Sequence, residues 1–222
     1  MRCPAGSSLK PYTGYLFDLD GTLIDTAPDI SAALNHALTR CGAPAVNEAL
    51  TRHWVGHGAR VLVEQALAYH ELPEEKLPAI HEAFLAHYAD HAAEHSRVYP
   101  GVVEALTALK ERGARLAVLT NKLTRFSLPI LSTLGLDGYF DVTVCGDTAA
   151  APKPAADPAL LACRELRTTP ADSLVVGDSQ TDVLCARAAG CPVVCVRDGY
   201  NHGVPAEQLG ADAVIESFLD LL

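Results

Sequence analysis

The sequence predicts an α/β protein: a doubly wound (Rossmann-like) parallel sheet core carrying an inserted all-helical cap. Three observations lead to it. From residue 97 onward, short apolar runs alternate with amphipathic helical segments, the pattern of a parallel sheet covered on both faces. A similar apolar run opens the chain at residues 12–18, but a long stretch with helical and no strand-like pattern separates it from the next one. Polar and acidic residues cluster directly after the apolar runs, where ligands sit in a doubly wound sheet.

In order along the chain, residues 12–18 read as the first strand. Residues 28–41 read as a helix, because Ile30, Leu34, Ala37 and Leu38 recur at helical spacing. Residues 47–96 are helical throughout, interrupted at Gly56 and Gly58 and at Pro73. PGVVEALTALKERG is an amphipathic helix with Pro100 at its start and Gly113 at its end. The strand-like ARLAVLT follows, then FDVTVCG, SLVVGD and PVVCV, with helices at 158–167 and 181–189 between them. Residues 213–215 add a short last strand. Right-handed crossovers then place residues 1–24 and 97–222 in the core and residues 25–96 in the cap.

A chain of 222 residues, 49% apolar and 20% charged, has the size and composition of a globular protein with one large core. Its formal net charge of -10 supplies no basic field for nucleic acid or an anionic membrane. The N-terminal segment lacks an apolar stretch of signal-peptide length, and no run approaches the ~20 apolar residues of a membrane span. The expectation is a cytoplasmic protein, monomer or homodimer, acting on a small partner. Seven cysteines, Cys3, Cys41, Cys145, Cys163, Cys185, Cys191 and Cys195, form no CxxC pair. They read as reduced, small core residues.

Asp18 and Asp20 follow the first strand; Thr120, Asn121 and Lys122 follow ARLAVL; Asp178 and Asp182 follow SLVVG; and Lys153 lies in the loop after VTVCGD. Side chains two apart on an extended chain point the same way, so Asp18 and Asp20 can face one volume with Asp178. Carboxylates packed together raise one another's pKa, a conflict that a hard divalent cation with oxygen ligands, Mg2+, removes. Thr22 and Thr120 offer hydroxyls suited to phosphate oxygens, and Lys153 one fixed positive charge. Together these groups suit phosphoryl transfer.

DLDGT at 18–22, the Thr120–Asn121 pair, Lys153 and GDSQTD at 177–182 resemble, in order, the four motifs of the haloacid dehalogenase-like hydrolase superfamily. The resemblance implies Asp18 as nucleophile, forming an aspartyl-phosphate. It implies Asp20 as general acid and base, and Thr120 with the backbone at Asn121 as holders of phosphoryl oxygens. Lys153 would neutralise charge on nucleophile and phosphate. Mg2+ would be held by Asp18, Asp178 and the backbone carbonyl of Asp20, with Asp182 a direct ligand or a supporting carboxylate. An acid at Asp20 favours phosphatase or phosphomutase chemistry over dehalogenation.

A helical insertion between the first two motifs resembles the small-cap class, whose lid closes over a small phosphorylated metabolite. DLDGTLIDTAPDI, WVGHGARVLVEQAL at 54–67, TNKLTRF at 120–126 and DGYNHG at 198–203 are similar to phosphoglycolate phosphatases. That implies 2-phosphoglycolate as substrate, with the backbone at Gly56 and Gly58 approaching its carboxylate and His57 or Arg60 pairing with it. The family usually carries a polar residue such as asparagine at the position of His57, and KPxPxP where this chain has KPAADP. A sugar-phosphate phosphatase, including one for amino-sugar phosphates, or a β-phosphoglucomutase-like phosphomutase shares the same framework. His87, His91 and His95 recur at four-residue spacing and read as a solvated helix face, with a transition-metal site as the alternative. Trp54 reads as a packing residue, and Asp25 as either a helix cap or a hinge.

Overall fold

The computed structural model describes residues 10–222, so Cys3 and the N-terminal segment lie outside the described residues. The core is a six-stranded, wholly parallel sheet. Its strands are β1 (Gly14–Phe17), β4 (Arg115–Leu119), β5 (Val142–Val144), β6 (Ser173–Gly177), β7 (Val193–Val196) and β8 (Ala213–Ile215), in the order β5-β4-β1-β6-β7-β8. The chain leaves central β1 toward β4 and β5 on one side and returns to β6, β7 and β8 on the other. The sheet therefore reverses direction at β1, and the crevice beyond its carboxyl end is the expected ligand position.

Alternation along the strands divides the core. Tyr15, Phe17, Leu116 and Val118 pack with Leu106 and Leu109 of α5 (Val102–Glu111) and Ile130 of α6 (Thr124–Thr133). Leu16, Ala117 and Leu119 face the other way, against Ala162 and Leu166 of α7 (Asp157–Leu166) and Val183 and Ala186 of α8 (Gln180–Ala189). Because both faces are covered, the strands are near-continuous apolar runs.

Between β1 and α5 lie four helices: α1 (Ala27–Arg40), α2 (Glu48–Trp54), α3 (Ala59–Tyr69) and α4 (Leu77–His91). Ile30, Leu34 and Leu38 of α1 share one apolar cluster with Ile80, Phe84 and Tyr88 of α4. Asn47 caps α2 through its side chain, accepting from the Leu50 N–H, and Trp54 is buried with its ring edge-on to Tyr69. Two short strands, β2 (Ile24–Asp25) and β3 (Arg97–Val98), pair antiparallel where this helical segment leaves and rejoins the core.

Strands β2 and β3 and helix α6 escape the sequence reading. β2 and β3 are two residues each, too short to show any periodicity. Helix α6 contains Pro129, which reads as a breaker. It is tolerated because Pro129 and Arg125 both lie on the exposed face, where the Arg125 carbonyl that loses its N–H partner can meet water.

Candidate active site

Asp18 stands one residue past β1, its N–H still in the ladder with the Val176 carbonyl at 2.9 Å. The chain then reverses: the Leu23 and Ile24 N–H groups both donate to the Leu19 carbonyl. Gly21 makes that turn at φ 82°, where an added Cβ would stand 2.3 Å from Asp178 Oδ2. Glycine is required twice over, by backbone angle and by space.

The two oxygens of Asp18 have unequal surroundings. Oδ1 accepts from the Leu19 N–H at 2.7 Å and lies 2.8 Å from Lys153 Nζ; Oδ2 has no hydrogen-bond partner among the described residues. Burial lifts the Asp18 pKa to about 7, against the downward pull of Lys153. Asp178 is likewise pushed well above the usual carboxylate range, first by burial and then by Asp18 and Asp182. Its Oδ1 accepts from the Thr22 hydroxyl at 3.0 Å and its Oδ2 from the Tyr200 N–H. Thr22, expected to face phosphate, is engaged with Asp178 instead.

Lys153 is 4% exposed and fully engaged, with the Leu119 carbonyl at 2.8 Å, Asp182 Oδ1 at 2.7 Å and Asp18 Oδ1 at 2.8 Å. Burial opposes its charge, but Asp18 and Asp182 outweigh it and hold the ammonium well above the usual lysine range. The other oxygen of Asp182 accepts from the Ser179 N–H at 3.1 Å and the Ser179 hydroxyl at 2.8 Å, closing a capping box at the start of α8. Asp182 therefore braces Lys153 and fixes the helix that follows Asp178.

Carboxylate oxygens of Asp18, Asp178 and Asp182 come within 4.8 Å of one another, all buried. Three acidic groups meet one ammonium, an imbalance that a divalent cation with oxygen ligands would offset, so the residues present fit Mg2+. Asp20 is separately neutralised. Its carboxylate lies 2.7 Å from Lys122 Nζ and accepts from the Thr26 hydroxyl at 2.6 Å. Lys122 was not among the sequence-predicted site residues; its position two residues after Thr120 marked it as near the site, but its pairing with Asp20 is a tertiary fact.

Thr120 is buried, with its hydroxyl accepting from the Lys122 N–H at 3.2 Å. Asn121 acts as a tie: its amide donates to the Lys153 carbonyl at 3.0 Å and to the Gly56 carbonyl at 3.1 Å, while its oxygen accepts from the Lys153 N–H. A second tie runs from His202 Nδ1 to the His53 carbonyl at 2.7 Å, and the His202 ring stacks on His57 at 5.0 Å. Asp25, two residues before the start of α1, receives Arg52 at 2.8 Å and the Tyr200 hydroxyl, at the base of the helical segment.

A cavity of about 310 Å³ opens above these groups. Asp18, Asp20, Thr120 and Asn121 line one end; Gly56, His57, Gly58 and Arg60 line another side, among the apolar Ile30, Phe84 and Phe126. The Arg60 side chain is 69% exposed and pairs with Glu64 at 2.8 Å. Burial first, and then His202, holds His57 below the usual histidine range. Away from the cavity, His36 stacks on His87 at 4.1 Å and His87 on His91 at 4.3 Å, while His91 pairs with Glu94.

The family model described as haloacid dehalogenase-like hydrolase matches residues 15–196. A phosphoglycolate phosphatase of Nitrosococcus oceani is 40% identical over 216 residues, covering 96% of each chain. Among solved structures, a predicted phosphoglycolate phosphatase from Haemophilus somnus superposes with a TM-score of 0.90 at 36% identity, covering 95% of this chain and 96% of that one. CbbY from Rhodobacter sphaeroides, solved in complex with phosphate, gives 0.79 at 26% identity, covering 95% and 96%. With a matched model spanning all four motifs and similarity along nearly the whole length, the chain belongs to the haloacid dehalogenase-like hydrolase family, as a phosphoric monoester hydrolase.

Proposed function

We propose that the protein is a Mg2+-dependent phosphatase that converts 2-phosphoglycolate to glycolate and phosphate through an aspartyl-phosphate on Asp18. The observation that carries this reading is the Asp18–Lys153–Asp182 arrangement beyond the carboxyl ends of the strands: one Asp18 oxygen held by Lys153, the other without a partner among the described residues. Similarity to proteins named phosphoglycolate phosphatase supports the choice of substrate.

In this mechanism an Asp18 oxygen attacks phosphorus while the bond from phosphorus to the glycolate oxygen breaks. Asp20, oriented by Lys122 and Thr26, gives its proton to that departing oxygen. Water then attacks phosphorus, Asp20 takes its proton, and the bond from Asp18 to phosphorus breaks to release phosphate. Lys153 and Thr120 with the backbone at Asn121 hold charge on the phosphoryl group through both steps. Mg2+, when bound by Asp18, Asp178 and the Asp20 carbonyl with Asp182 close by, supplies Lewis-acid neutralisation of phosphoryl oxygens. Residues 25–96 form the cap, whose Gly56, His57, Gly58 and Arg60 close the cavity against water.

The partner is a small phosphorylated metabolite. The net charge of -10 disfavours nucleic acid, and among the described residues no helix is long and apolar enough to cross a membrane. Phosphate release with Mg2+ and with EDTA, measured over 2-phosphoglycolate, hexose and amino-sugar phosphates, glycerol phosphate and β-glucose 1-phosphate, tests the reading. A Mg2+-dependent preference for 2-phosphoglycolate of ~100-fold or more is expected. Efficient turnover of a sugar phosphate would overturn the substrate, and isomerised sugar phosphate in place of free phosphate would turn the assignment to a mutase.

A further inference from the structure

A substrate carrying both a phosphate and a carboxylate needs a cation at each end of its cavity. Lys153 serves the phosphate end. The cavity's other basic groups are Lys122, Arg60, His57 and His81. His57 and His81 are held below the usual histidine range, in each case chiefly by burial, and so are neutral at neutral pH. Arg60 points its guanidinium to solvent and Glu64.

Lys122 differs from all three. Its side chain is 7% exposed, its ammonium lies 2.7 Å from Asp20, and it sits 5.1 Å from the ring centre of Tyr88. Tyr88 comes from α4 and lines the same cavity. Its hydroxyl is buried and, among the described residues, faces only the Lys122 ammonium, itself a donor, so the phenolic proton has no acceptor. Burial pushes that phenol up to about 12, so it keeps its proton. A buried donor without an acceptor is costly, and one beside an ammonium in the lining of a cavity is arranged to donate to an anion.

We propose that Lys122 and the Tyr88 hydroxyl together bind the carboxylate of the substrate that is not transferred, making them the specificity-determining pair of this site. The proposal rests on the phosphoglycolate reading and deepens it: the carboxylate is read by a buried cation beside Asp20 and by α4, rather than by Arg60 at the cavity mouth. Lys122 then has two neighbours, the carboxylate of Asp20 and that of the substrate, and Tyr88 joins the helical segment to the ligand.

The test compares kcat/KM for 2-phosphoglycolate with that for ethyl phosphate, which lacks the carboxylate, in wild type, Lys122→Met, Lys122→Arg and Tyr88→Phe. Melting temperatures establish that each variant is folded. Lys122→Met also loses the Asp20 contact and slows both substrates, so the ratio between substrates is the readout. The ratio is expected to fall about 30-fold in Lys122→Met and about 5-fold in Tyr88→Phe, with Lys122→Arg recovering most of it. Equal losses on both substrates would overturn the proposal and leave Lys122 as a positioning residue for Asp20 only. A wild type that shows no preference between the two substrates would instead overturn the phosphoglycolate reading itself.

Discussion

At Asp18, one carboxylate oxygen is anchored by the Leu19 N–H and Lys153 and the other is not, which fixes the residue's orientation and leaves one oxygen open, as the proposed nucleophilic role requires. Asp18→Asn is expected to abolish phosphate release, measured on a sample checked by mass for reversion to Asp. Lys153→Met should lower kcat by about 10²–10³-fold, roughly the 3–4 kcal/mol carried by one electrostatic donor in a buried site. Normal turnover in either variant would contradict the assigned role. The gathering of Asp18, Asp20, Thr120, Asn121 and Asp178 in one place was legible because each follows an apolar strand, so one-dimensional spacing fixes their place at the sheet's carboxyl edge. Lys122 was not, because its partners Asp20 and Tyr88 are remote in sequence and meet only in the fold. Thr22 was misjudged for the same reason: nothing local announces that its hydroxyl turns to Asp178.

Among the elements, the loop at residues 198–203 connects the buried carboxylate cluster to the helical segment. The Tyr200 N–H donates to Asp178, its hydroxyl donates to Asp25 and accepts from the Ala27 N–H, and Arg52 lies over its ring. Tyr200→Phe keeps the backbone contact and removes both hydroxyl bonds. It should cost about 1–3 kcal/mol in denaturant unfolding, at the level of two buried hydrogen bonds; an unchanged midpoint would show that the hydroxyl does not hold the base of the segment. The major strands and most helices were readable from periodicity to within a residue or two, as with Ala27–Arg40 and Ser173–Gly177. The two-residue strands Ile24–Asp25 and Arg97–Val98 exist only through each other, and helix Thr124–Thr133 hides behind Pro129. Pairing and solvent exposure, not local propensity, decide such elements.

For the whole molecule, the buried acidic cluster links stability to both pH and metal. Asp18 and Asp178 have pKa values raised in the folded state, so the metal-free fold holds protons there that the unfolded chain has released. Their contribution is complete at acid pH and is lost as pH rises toward and through about 7 for Asp18. Mg2+ competes with those protons and should therefore raise the melting temperature by several degrees at pH 8 and by much less at pH 5.5. An equal shift at both pH values would show that the metal does not bind this cluster. Asp25, Asp141 and Asp212 are shifted the opposite way, by partners present with or without metal, so they drop out of the Mg2+ difference. The central claim, that phosphoryl transfer passes through Asp18, is tested most directly by quenching the enzyme during turnover of 2-phosphoglycolate with Mg2+, reducing any acyl phosphate with borohydride and mapping the peptides by mass. Reduction confined to Asp18, and absent without Mg2+, is the predicted result; active turnover with Asp18 unmodified, or with another residue reduced in its place, would contradict it.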